Sequence, residues 1–450
     1  MNTIDVGEAI DKGPWTRYQK LLIAGTALTI ILDGVDNQIL PNAIPFIAPE
    51  WGVEGAAFRN ALFWGPIGMM VGGLLGGMLG DRIGRRSALL LSVLSFSVLT
   101  LGVAFIGSIG ALSILRFLAG VGLGGAMPNA AALASEYVPR RQRPVAVTLT
   151  IVCIPLGGII ASSMASLLGG LLGWRMLFIV GGLVPVVLAA VLYRVLPESP
   201  RFLASRRERW PELTAIMRKM GHAVPDDVSY VESGAAAPSA QKATPGGARK
   251  ATIGDLFAPA FARDTVGLFG SFFFCLMVNY VLIQLIPTML QENGGFTAPA
   301  AAAGLFWVNV GGVVGAVLGA LTIQRIGSRI TMLGMSAVAV VCSLLMAGMK
   351  LDPNDAFALM TMFVVTGGLL NAVQTTMYAL AAHVYPTDIR GTGVGAAVAF
   401  GRIGNALAVY VGGFALDVGG PPGYFTSWAV LMVLVFASLA LVKRHVPRAA

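Results

Sequence analysis

Two aspartates three residues apart, Asp33 and Asp36, lie within the first long apolar segment of the chain. On a helix this spacing puts both carboxylates on one face, where each influences the titration of the other. Two neighbouring carboxylates in apolar surroundings cannot both stay ionised at low cost, so we expect one of them to bind a proton near neutral pH. The pair therefore suits a proton carrier. A divalent metal site is the alternative, because carboxylates also bind such cations.

Arg116 lies within the fourth apolar segment, at a depth that matches the two aspartates. It is about eight residues, or roughly 12 Å, from the outer end of its segment, and the aspartates are ~6 to 10 Å from the end of theirs. We therefore expect Arg116 to contact Asp33 or Asp36. Because an isolated charge inside a membrane is costly, this pair either forms and breaks with protonation or is a permanent structural ion pair.

Arg402 lies in the eleventh apolar segment, ~15 Å from the cytoplasmic surface and so near the middle of the membrane. Its guanidinium is always charged, and its planar fork matches a carboxylate with two parallel hydrogen bonds. No acidic residue precedes Asp417 within reach on the same segment. We expect its partner to be the carboxylate of a bound ligand. The alternative is an ion pair with Asp33 or another acid.

Uncharged polar residues in three other apolar segments complete a candidate ligand site. The tenth segment has a polar stripe at the helical spacing i, i+3, i+4 and i+7, and the seventh and eighth contain amides beside aromatic residues. These residues would provide hydrogen bonds and ring faces in a mostly apolar pocket, or else only hydrogen bonds between helices. The candidate ligand-binding residues, besides Arg402, are Tyr280, Gln284, Trp307, Asn309, Asn371, Gln374 and Tyr378.

The segments that carry these residues are long enough to cross a bilayer. Of the 450 residues, 56% are hydrophobic and only 12% are charged, and the mean hydropathy of +0.77 exceeds that of a soluble domain. A hydrocarbon core of ~30 Å needs about 20 residues of helix, and lipid tolerates no unpaired backbone groups. The sequence predicts an all-α polytopic membrane protein with twelve transmembrane helices, at 18–40, 57–80, 86–107, 110–134, 145–170, 174–196, 265–291, 299–324, 329–349, 356–382, 392–416 and 423–443.

The basic residues are concentrated on one side of these helices. Only three of the 31 Lys and Arg residues fall in one set of alternate loops, namely Arg59, Arg175 and Lys350. Arg116 and Arg402 lie deep within helices, and the others lie in the opposite loops, at the helix ends next to them or in the two tails. This asymmetry predicts a protein of the cell inner membrane with both termini in the cytoplasm. Topology thus explains the formal net charge of +9, which does not indicate a nucleic-acid partner.

A long polar segment, 198–262, divides the chain into an N-terminal six-helix half, 1–197, and a C-terminal six-helix half, 263–450. Basic and apolar residues at 201–220 predict an amphipathic helix on the cytoplasmic leaflet. The Ala, Gly, Pro and Ser content of 234–250 predicts a flexible linker, because such a sequence cannot bury enough apolar area to become ordered. The whole segment is expected to be a cytoplasmic loop.

The two halves repeat short motifs at a nearly constant offset. The segment 80–86, Gly-Asp-Arg-Ile-Gly-Arg-Arg, follows the second helix, and 324–329, Gln-Arg-Ile-Gly-Ser-Arg, follows the eighth. Likewise 136–140 follows the fourth helix and 383–387 the tenth, each with a Tyr and a Pro. Because the offset covers six helices, an even number, the sequence predicts two six-helix bundles related by a parallel pseudo-repeat.

The segment 80–86 resembles the signature loop of the major facilitator superfamily, and the resemblance covers nearly the whole chain. It implies transport by alternating access. The candidate cytoplasmic gate is a salt-bridge latch that breaks and re-forms, built from Asp81, Arg82, Arg85 and Arg86. The alternative is that this loop only sets topology and packing. Glu136 beside Arg140 is a further gate candidate or an ordinary surface ion pair.

Several segments together resemble the aromatic acid:proton symporter family of that superfamily. They are Asp33-Gly34-Val35-Asp36, 128–139, 385–395 and 401–404. Val35 departs from the pattern, since the family usually has an aromatic residue there. The resemblance implies uptake of an aromatic carboxylate, such as a hydroxybenzoate-type acid, together with protons. In this role Asp33 and Asp36 would carry the proton, Arg116 would tune them and Arg402 would bind the anion.

Two other transport functions fit the same fold: proton-coupled efflux of organic acids, and transport of a sugar or other metabolite. A membrane enzyme with a metal at Asp33 and Asp36 is disfavoured, because no cluster of His, Cys, Asp or Glu on a neighbouring helix completes a coordination shell. We therefore expect no enzymatic activity, no metal and no cofactor. The expected partners are protons, a small aromatic carboxylate and the lipid bilayer, and the expected functional unit is a monomer.

Overall fold

A computed structural model describes the chain over residues 2–222, 224–225, 228–231 and 252–448. Side chains are described throughout these ranges except at 2, 140, 143–151 and 387–388. Nearly all regular structure here is helical, so the predicted all-α class is confirmed. The one addition among the described residues is a parallel pair of short strands, β1 (Asn2–Asp5) and β2 (Val228–Val231). The predicted linker at 234–250 lies outside the described residues.

Six long helices form the first half of the structure. They are α1 (Arg17–Trp51), α2 (Arg59–Ile83), α3 (Arg85–Val103), α4 (Ile109–Tyr137), α5 (Arg143–Met164) and α6 (Trp174–Val195). A π-helical turn, Ala165–Gly169, and a short helix, Gly170–Leu172, extend α5. Thr16 caps α1 through a reciprocal hydrogen-bonded box with Gln19, so the first helix begins at a defined residue.

The second half consists of α7 (Ala262–Glu292), α8 (Ala298–Ile326), α9 (Ser328–Ala347), α10 (Phe357–Val384) and α11 (Thr387–Leu441). Gly420 interrupts α11 with φ 58° and ψ −156°, and Pro421 and Pro422 follow. Because neither proline can donate a helical hydrogen bond, α11 divides into two helical segments, 387–419 and 421–441. The eleven long apolar elements of the described chain thus contain twelve segments of membrane-spanning length.

Both ends of the described chain lie on the same side of the bundle, because successive segments run in opposite directions. We call this the terminal side and the opposite one the distal side. On the terminal side, Gly84 between α2 and α3 and Gly327 between α8 and α9 have φ values of 102° and 84°. Only glycine adopts such angles readily. The two turns occupy matching places in the two halves, as the repeated motifs predict.

Close helix packing also repeats between the halves. Gly72 of α2 lies against the backbone of Val121 on α4, and Gly315 of α8 lies against the backbone of Gly368 on α10. A Cβ atom at either glycine would collide with a carbonyl oxygen, so these contacts require the small residue. Between the halves, α1 packs on α7 and α8, α2 on α11, and α5 on α8. These inter-half surfaces position the site described below.

The segment predicted as one amphipathic helix, 201–220, instead forms three pieces, and the single-helix prediction is wrong. The pieces are Pro200–Ala204, a 3₁₀ turn at Arg207–Arg209 and Trp210–Lys219. The apolar residues of the last piece belong to one buried cluster with the N-terminal helix Val6–Lys12. The chain therefore covers this apolar face itself, and we call these elements, with β1 and β2, the cap.

Candidate ligand-binding site

A cavity of about 100 Å³ lies between the two halves. Its wall is formed by α1, α2, α4 and α5 from the first half and by α7, α8, α10 and α11 from the second. At ~10 to 15 Å³ per water-sized group, this volume holds about seven to ten such groups, the size of a small single-ring molecule. Apolar side chains alternate in the wall with polar ones, which are Asp33, Asn37, Gln38, Tyr280, Asn309, Asn371, Gln374, Thr375, Tyr378, Arg402 and Asn405.

One predicted charge from each half faces this cavity. Asp33 comes from α1 and Arg402 from α11, and the two are near enough to interact electrostatically. They do not form an ion pair with each other, and neither has a hydrogen bond or ion pair to any residue in the described part of the chain. An acid and a base placed in this way can each bind a ligand group.

Asp36 lies behind the cavity wall, fully buried. Arg116 on α4 donates to its carboxylate at 3.2 Å and to its backbone carbonyl at 3.3 Å. Thr100 on α3 donates to the other carboxylate oxygen. Asp36, rather than Asp33, thus makes the contact with Arg116, and the three side chains tie α1 to α3 and α4.

Two pairs of polar side chains join the halves within the cavity wall. Asn37 donates to the Tyr280 hydroxyl at 2.8 Å, and Gln38 and Asn309 exchange two amide hydrogen bonds of 3.0 and 2.8 Å. The predicted ligand-binding residues Tyr280 and Asn309 therefore already have partners on α1. Sequence reasoning misses Asn37 and Gln38, although two amides directly after Asp36 in an apolar segment indicate a polar helix face.

The predicted polar stripe of α10 faces the cavity. Asn371 and Thr375 donate to backbone carbonyls of α10 itself, each at 3.0 Å. Gln374 and Tyr378 have no hydrogen bond to a described residue. The ring of Tyr378 packs edge-on against Phe272, with the ring centroids 5.4 Å apart. Only part of the stripe is therefore available to a ligand.

Two of the predicted ligand-binding residues lie elsewhere. Gln284 is buried and donates to the carbonyl oxygen of Leu62 at 3.3 Å, so it joins α7 to α2. Trp307 is 40% exposed on α8, with its ring edge-on to Phe306. Neither residue lines the cavity. Helical periodicity orients a side chain relative to its own helix and not relative to the neighbouring ones, so it does not predict that these two side chains point away from the cavity.

Asn405 lines the cavity, and sequence reasoning misses it. It lies one turn after Arg402 on α11 and is 3% exposed. Its amide oxygen is enclosed by protein without a hydrogen-bond partner among the described residues. The signal in the sequence is the spacing of three residues from Arg402, which places both side chains on one helix face.

Contacts between the halves close the distal side. Arg59, at the start of α2, binds Asp417 of α11 through two hydrogen bonds. Nearby, the backbone N–H of Gly55 donates to the carboxylate of Glu292 at 2.7 Å. These charged and backbone groups hold the two halves together at this end.

On the terminal side, the candidate gate residues bind within the first half. Asp81 and Arg85 form an ion pair at 2.5 Å, and Arg85 lies 3.9 Å from the carboxylate of Glu136. Ser199, directly before the helix Pro200–Ala204, donates to Glu136. Asp81, the acid of the signature loop, and Glu136 are thus both within ion-pair distance of Arg85.

The remaining candidate gate residues have separate surroundings. Arg86 donates to the backbone carbonyl of Tyr193 and lies over its ring, 5.1 Å from the centroid. Arg82 is exposed, and its carbonyl oxygen accepts a hydrogen bond from Arg206 at 3.0 Å. The side chain of Arg140 lies outside the described residues.

Most of the chain matches one known family. Residues 26–408 and 268–450 match the model of the Major Facilitator Superfamily. The chain belongs to this superfamily.

Relatives narrow the position of the chain within the superfamily. It is 32% identical to the gallate transporter of Pseudomonas putida, over 94% of this chain and 91% of that protein. It is 30% identical to the 4-hydroxybenzoate transporter PcaK of Acinetobacter baylyi, over 96% of this chain and 91% of that protein. The benzoate transport protein of Acinetobacter baylyi is 29% identical, over 98% of this chain and 93% of that protein. The membership predicted from the sequence motifs is confirmed, and the superfamily member is a transporter rather than an enzyme.

Solved structures share the fold of this superfamily member. A D-xylose–proton symporter superposes with a TM-score of 0.67 at 18% identity, over 96% of this chain and 99% of that one. A bacterial homologue of the human lysosomal transporter Spinster, in an inward-facing and occupied conformation, superposes with a TM-score of 0.67 at 16% identity, over 95% of this chain and 97% of that one. These likenesses establish the fold alone, that of a multi-pass membrane transporter.

Proposed function

We propose that this superfamily member is a secondary active transporter that carries an aromatic carboxylate, such as a hydroxybenzoate-type acid, into the cell together with protons. The observation that carries the proposal is that Asp33 and Arg402, one charge from each half, face the same cavity without an ion pair between them. Relatives named for gallate, 4-hydroxybenzoate and benzoate support the substrate class.

Arg402 would bind the carboxylate of the substrate. A guanidinium meets a carboxylate through two parallel, charge-assisted hydrogen bonds, which fixes orientation as well as charge. The cavity volume of about 100 Å³ suits one ring, and the rings of Tyr280 and Tyr378 offer faces or edges against which it can pack. These features favour an aromatic acid over a sugar, which carries no charge for Arg402 to bind.

Asp33 would carry the proton. A carboxylate bound at Arg402 brings a second negative charge towards Asp33, and protonation of Asp33 relieves the repulsion. Substrate and proton therefore favour each other's binding, and this coupling is reciprocal. Asp36, which is bound to Arg116 and Thr100, would hold α1 in place.

Alternating access would come from movement of the two halves, 1–197 and 263–450, against each other. The distribution of Lys and Arg supports a cytoplasmic terminal side, with 198–262 in the cytoplasm and the protein in the inner membrane. The distal side would then face outwards, closed in this conformation, and the latch around Asp81 would rearrange when the terminal side closes. Because one chain supplies the whole cavity wall, a monomer would be sufficient.

Uptake by purified protein in proteoliposomes tests this proposal. Radiolabelled 4-hydroxybenzoate should accumulate when the outside is more acidic than the inside, and an ionophore that collapses the pH gradient should stop accumulation. Asp33→Asn should lose gradient-driven accumulation but keep exchange of labelled for unlabelled substrate. Glu50→Gln removes a carboxylate from the distal end of the same helix, α1, and should transport as the wild type does.

Accumulation that persists without a pH gradient would refute the coupling to protons, and accumulation that persists in Asp33→Asn would refute Asp33 as the proton carrier. Membrane vesicles of known sidedness separate uptake from efflux, because an efflux carrier would accumulate the acid in inside-out vesicles instead.

A further inference from the structure

Eight of the eleven polar side chains that line the cavity fall into two sets according to what they already bind. The first set is hydrogen-bonded between the halves and comprises Asn37, Gln38, Tyr280 and Asn309. The second set has no hydrogen bond or ion pair to a described residue and comprises Asp33, Gln374, Tyr378 and Arg402. Three of the four free side chains belong to the second half, so most of the ligand recognition falls to α10 and α11.

We propose, on the basis of the function proposed above, that Gln374 recognises a ring hydroxyl of the substrate. Tyr280 and Asn309, in contrast, form a joint between the halves and do not select the substrate. Gln374 is thus a specificity-determining residue, and the joint serves the movement of the halves.

Position and chemistry both favour Gln374 for this role. Gln374 and Arg402 line the same cavity, from α10 and α11, so a ring bound to Arg402 through its carboxylate has Gln374 among its surroundings. The amide of Gln374 both donates and accepts hydrogen bonds, as a phenolic hydroxyl also does.

The other side chains in this part of the wall are less suited to read a hydroxyl. Asn371 commits one of its two amide N–H donors, and Thr375 its single hydroxyl donor, to the backbone of α10. The amide oxygen of Asn405 is enclosed by protein, so a ligand in the cavity does not reach it. Among the uncharged side chains of the wall, Gln374 and Tyr378 have no hydrogen bond to a described residue, and the amide of Gln374 offers more donors than the hydroxyl of Tyr378.

A free amide in a partly apolar cavity discriminates between rings with and without a hydroxyl. When the ligand has no hydroxyl, the amide exchanges its hydration for an apolar surface and loses hydrogen bonds. A hydroxylated ring replaces those hydrogen bonds. The wild type should therefore bind 4-hydroxybenzoate more tightly than benzoate.

Transport of this pair of acids in proteoliposomes tests the assignment. Gln374→Leu should raise the KM for 4-hydroxybenzoate about three- to tenfold, the worth of one neutral hydrogen bond, and should lower the KM for benzoate, because benzoate then desolvates no amide. The maximal rate and its dependence on the pH gradient should be retained. Gln374→Met, which keeps the length of the side chain, should give the same result. Asn309→Leu is the matched control and should lower the maximal rate for both acids without changing the ratio of their KM values.

The outcomes separate this inference from the proposed function. A wild type that transports neither acid would refute the proposed function and this inference with it. A wild type that carries both acids with equal KM, or Gln374 variants that keep the preference, would overturn the inference alone. Ligand-dependent shifts in the melting temperature of the purified variants provide the same comparison without transport, so a variant that is slow in proteoliposomes still gives a result.

Discussion

Arg59 and Asp417 are joined by two hydrogen bonds of 2.7 and 2.6 Å, and they belong to different halves of the transporter. Arg59 begins α2, and Asp417 lies three residues before the break at Gly420 in α11. The side chains are 21% and 51% exposed, so water screens their attraction and the pair contributes about 1 kcal/mol or less to stability. A weak contact at this position is suited to opening and closing rather than to holding the fold together.

Asp417→Asn is expected to shift the transporter towards a conformation that is open on the distal side, because only the closed conformation loses an ion pair. A cysteine introduced at Ile283 in the cavity wall should then react up to about five times faster with an impermeant thiol reagent, the factor that corresponds to ~1 kcal/mol. The native residues Cys153, Cys275 and Cys342 would first be replaced by alanine.

Glu50→Gln is the control for this measurement. It weakens another distal ion pair, Glu50–Arg175 at 2.6 Å, which lies within the first half, and it should not change the labelling rate. Equal labelling rates in both variants and the wild type would show that the Arg59–Asp417 ion pair does not control opening of the distal side.

Arg116→Met is expected to destabilise the fold by about 3 to 5 kcal/mol, because it leaves the buried carboxylate of Asp36 without its counter-charge. Unfolding in detergent, followed by tryptophan fluorescence, measures the loss. The double variant with Asp36→Asn should recover most of the stability, since no buried charge remains. Wild-type stability of Arg116→Met alone would contradict the assignment of a structural ion pair.

Arg402→Lys is expected to raise the KM for 4-hydroxybenzoate about 10- to 150-fold, because an ammonium retains the charge but not the planar fork, and charged hydrogen bonds contribute about 1.5 to 3 kcal/mol. Uptake kinetics and the ligand-induced shift in melting temperature both report this change. Arg325→Lys, an exposed substitution of the same kind at the terminal end of α8, should behave as the wild type does. An unaltered KM in Arg402→Lys would remove Arg402 from the substrate site.

The cap should loosen in acid because of His222, which lies beside Gly13 at the end of the N-terminal helix. Burial lowers the pKa of His222 below its ordinary value of 6.5. A lowered folded-state pKa gives stability that is present above about pH 6.5 and is lost as the pH falls through the lowered value. Hydrogen exchange in Trp210–Lys219, corrected for intrinsic rates, should therefore be faster at pH 5 than at pH 7. His222→Gln should remove the difference, and a pH effect that survives this substitution would assign it to another group.

The helices and several cavity residues could be predicted because lipid restricts what a spanning segment contains. Each span needs a set length of apolar helix, so the polar exceptions stand out in the sequence. Asp33, Gln374, Tyr378 and Arg402 were predicted in this way, and all four line the cavity.

The direction of each side chain could not be predicted in the same way. Asp33 and Asp36 differ by about 60° around α1, which is enough for one to face the cavity and the other to face Arg116. Gln284 shares a helix face with Tyr280 but lies one turn nearer the distal side. There its amide donates a hydrogen bond to the carbonyl oxygen of Leu62. Such differences depend on how closely and at what rotation neighbouring helices pack, and no periodic pattern within one helix contains that information.

The cavity wall is divided between the two halves, so a ligand is carried only if the halves can close around it. An acid with one ring and a bulky extension would still bind Arg402 through its carboxylate. An extension that projects from the cavity of about 100 Å³ would also hold the halves apart on one side. Such a compound would occupy the transporter without crossing the membrane, and would inhibit uptake in competition with the natural substrate. If the proposed function holds, the range of acids that bind should therefore be broader than the range that is transported.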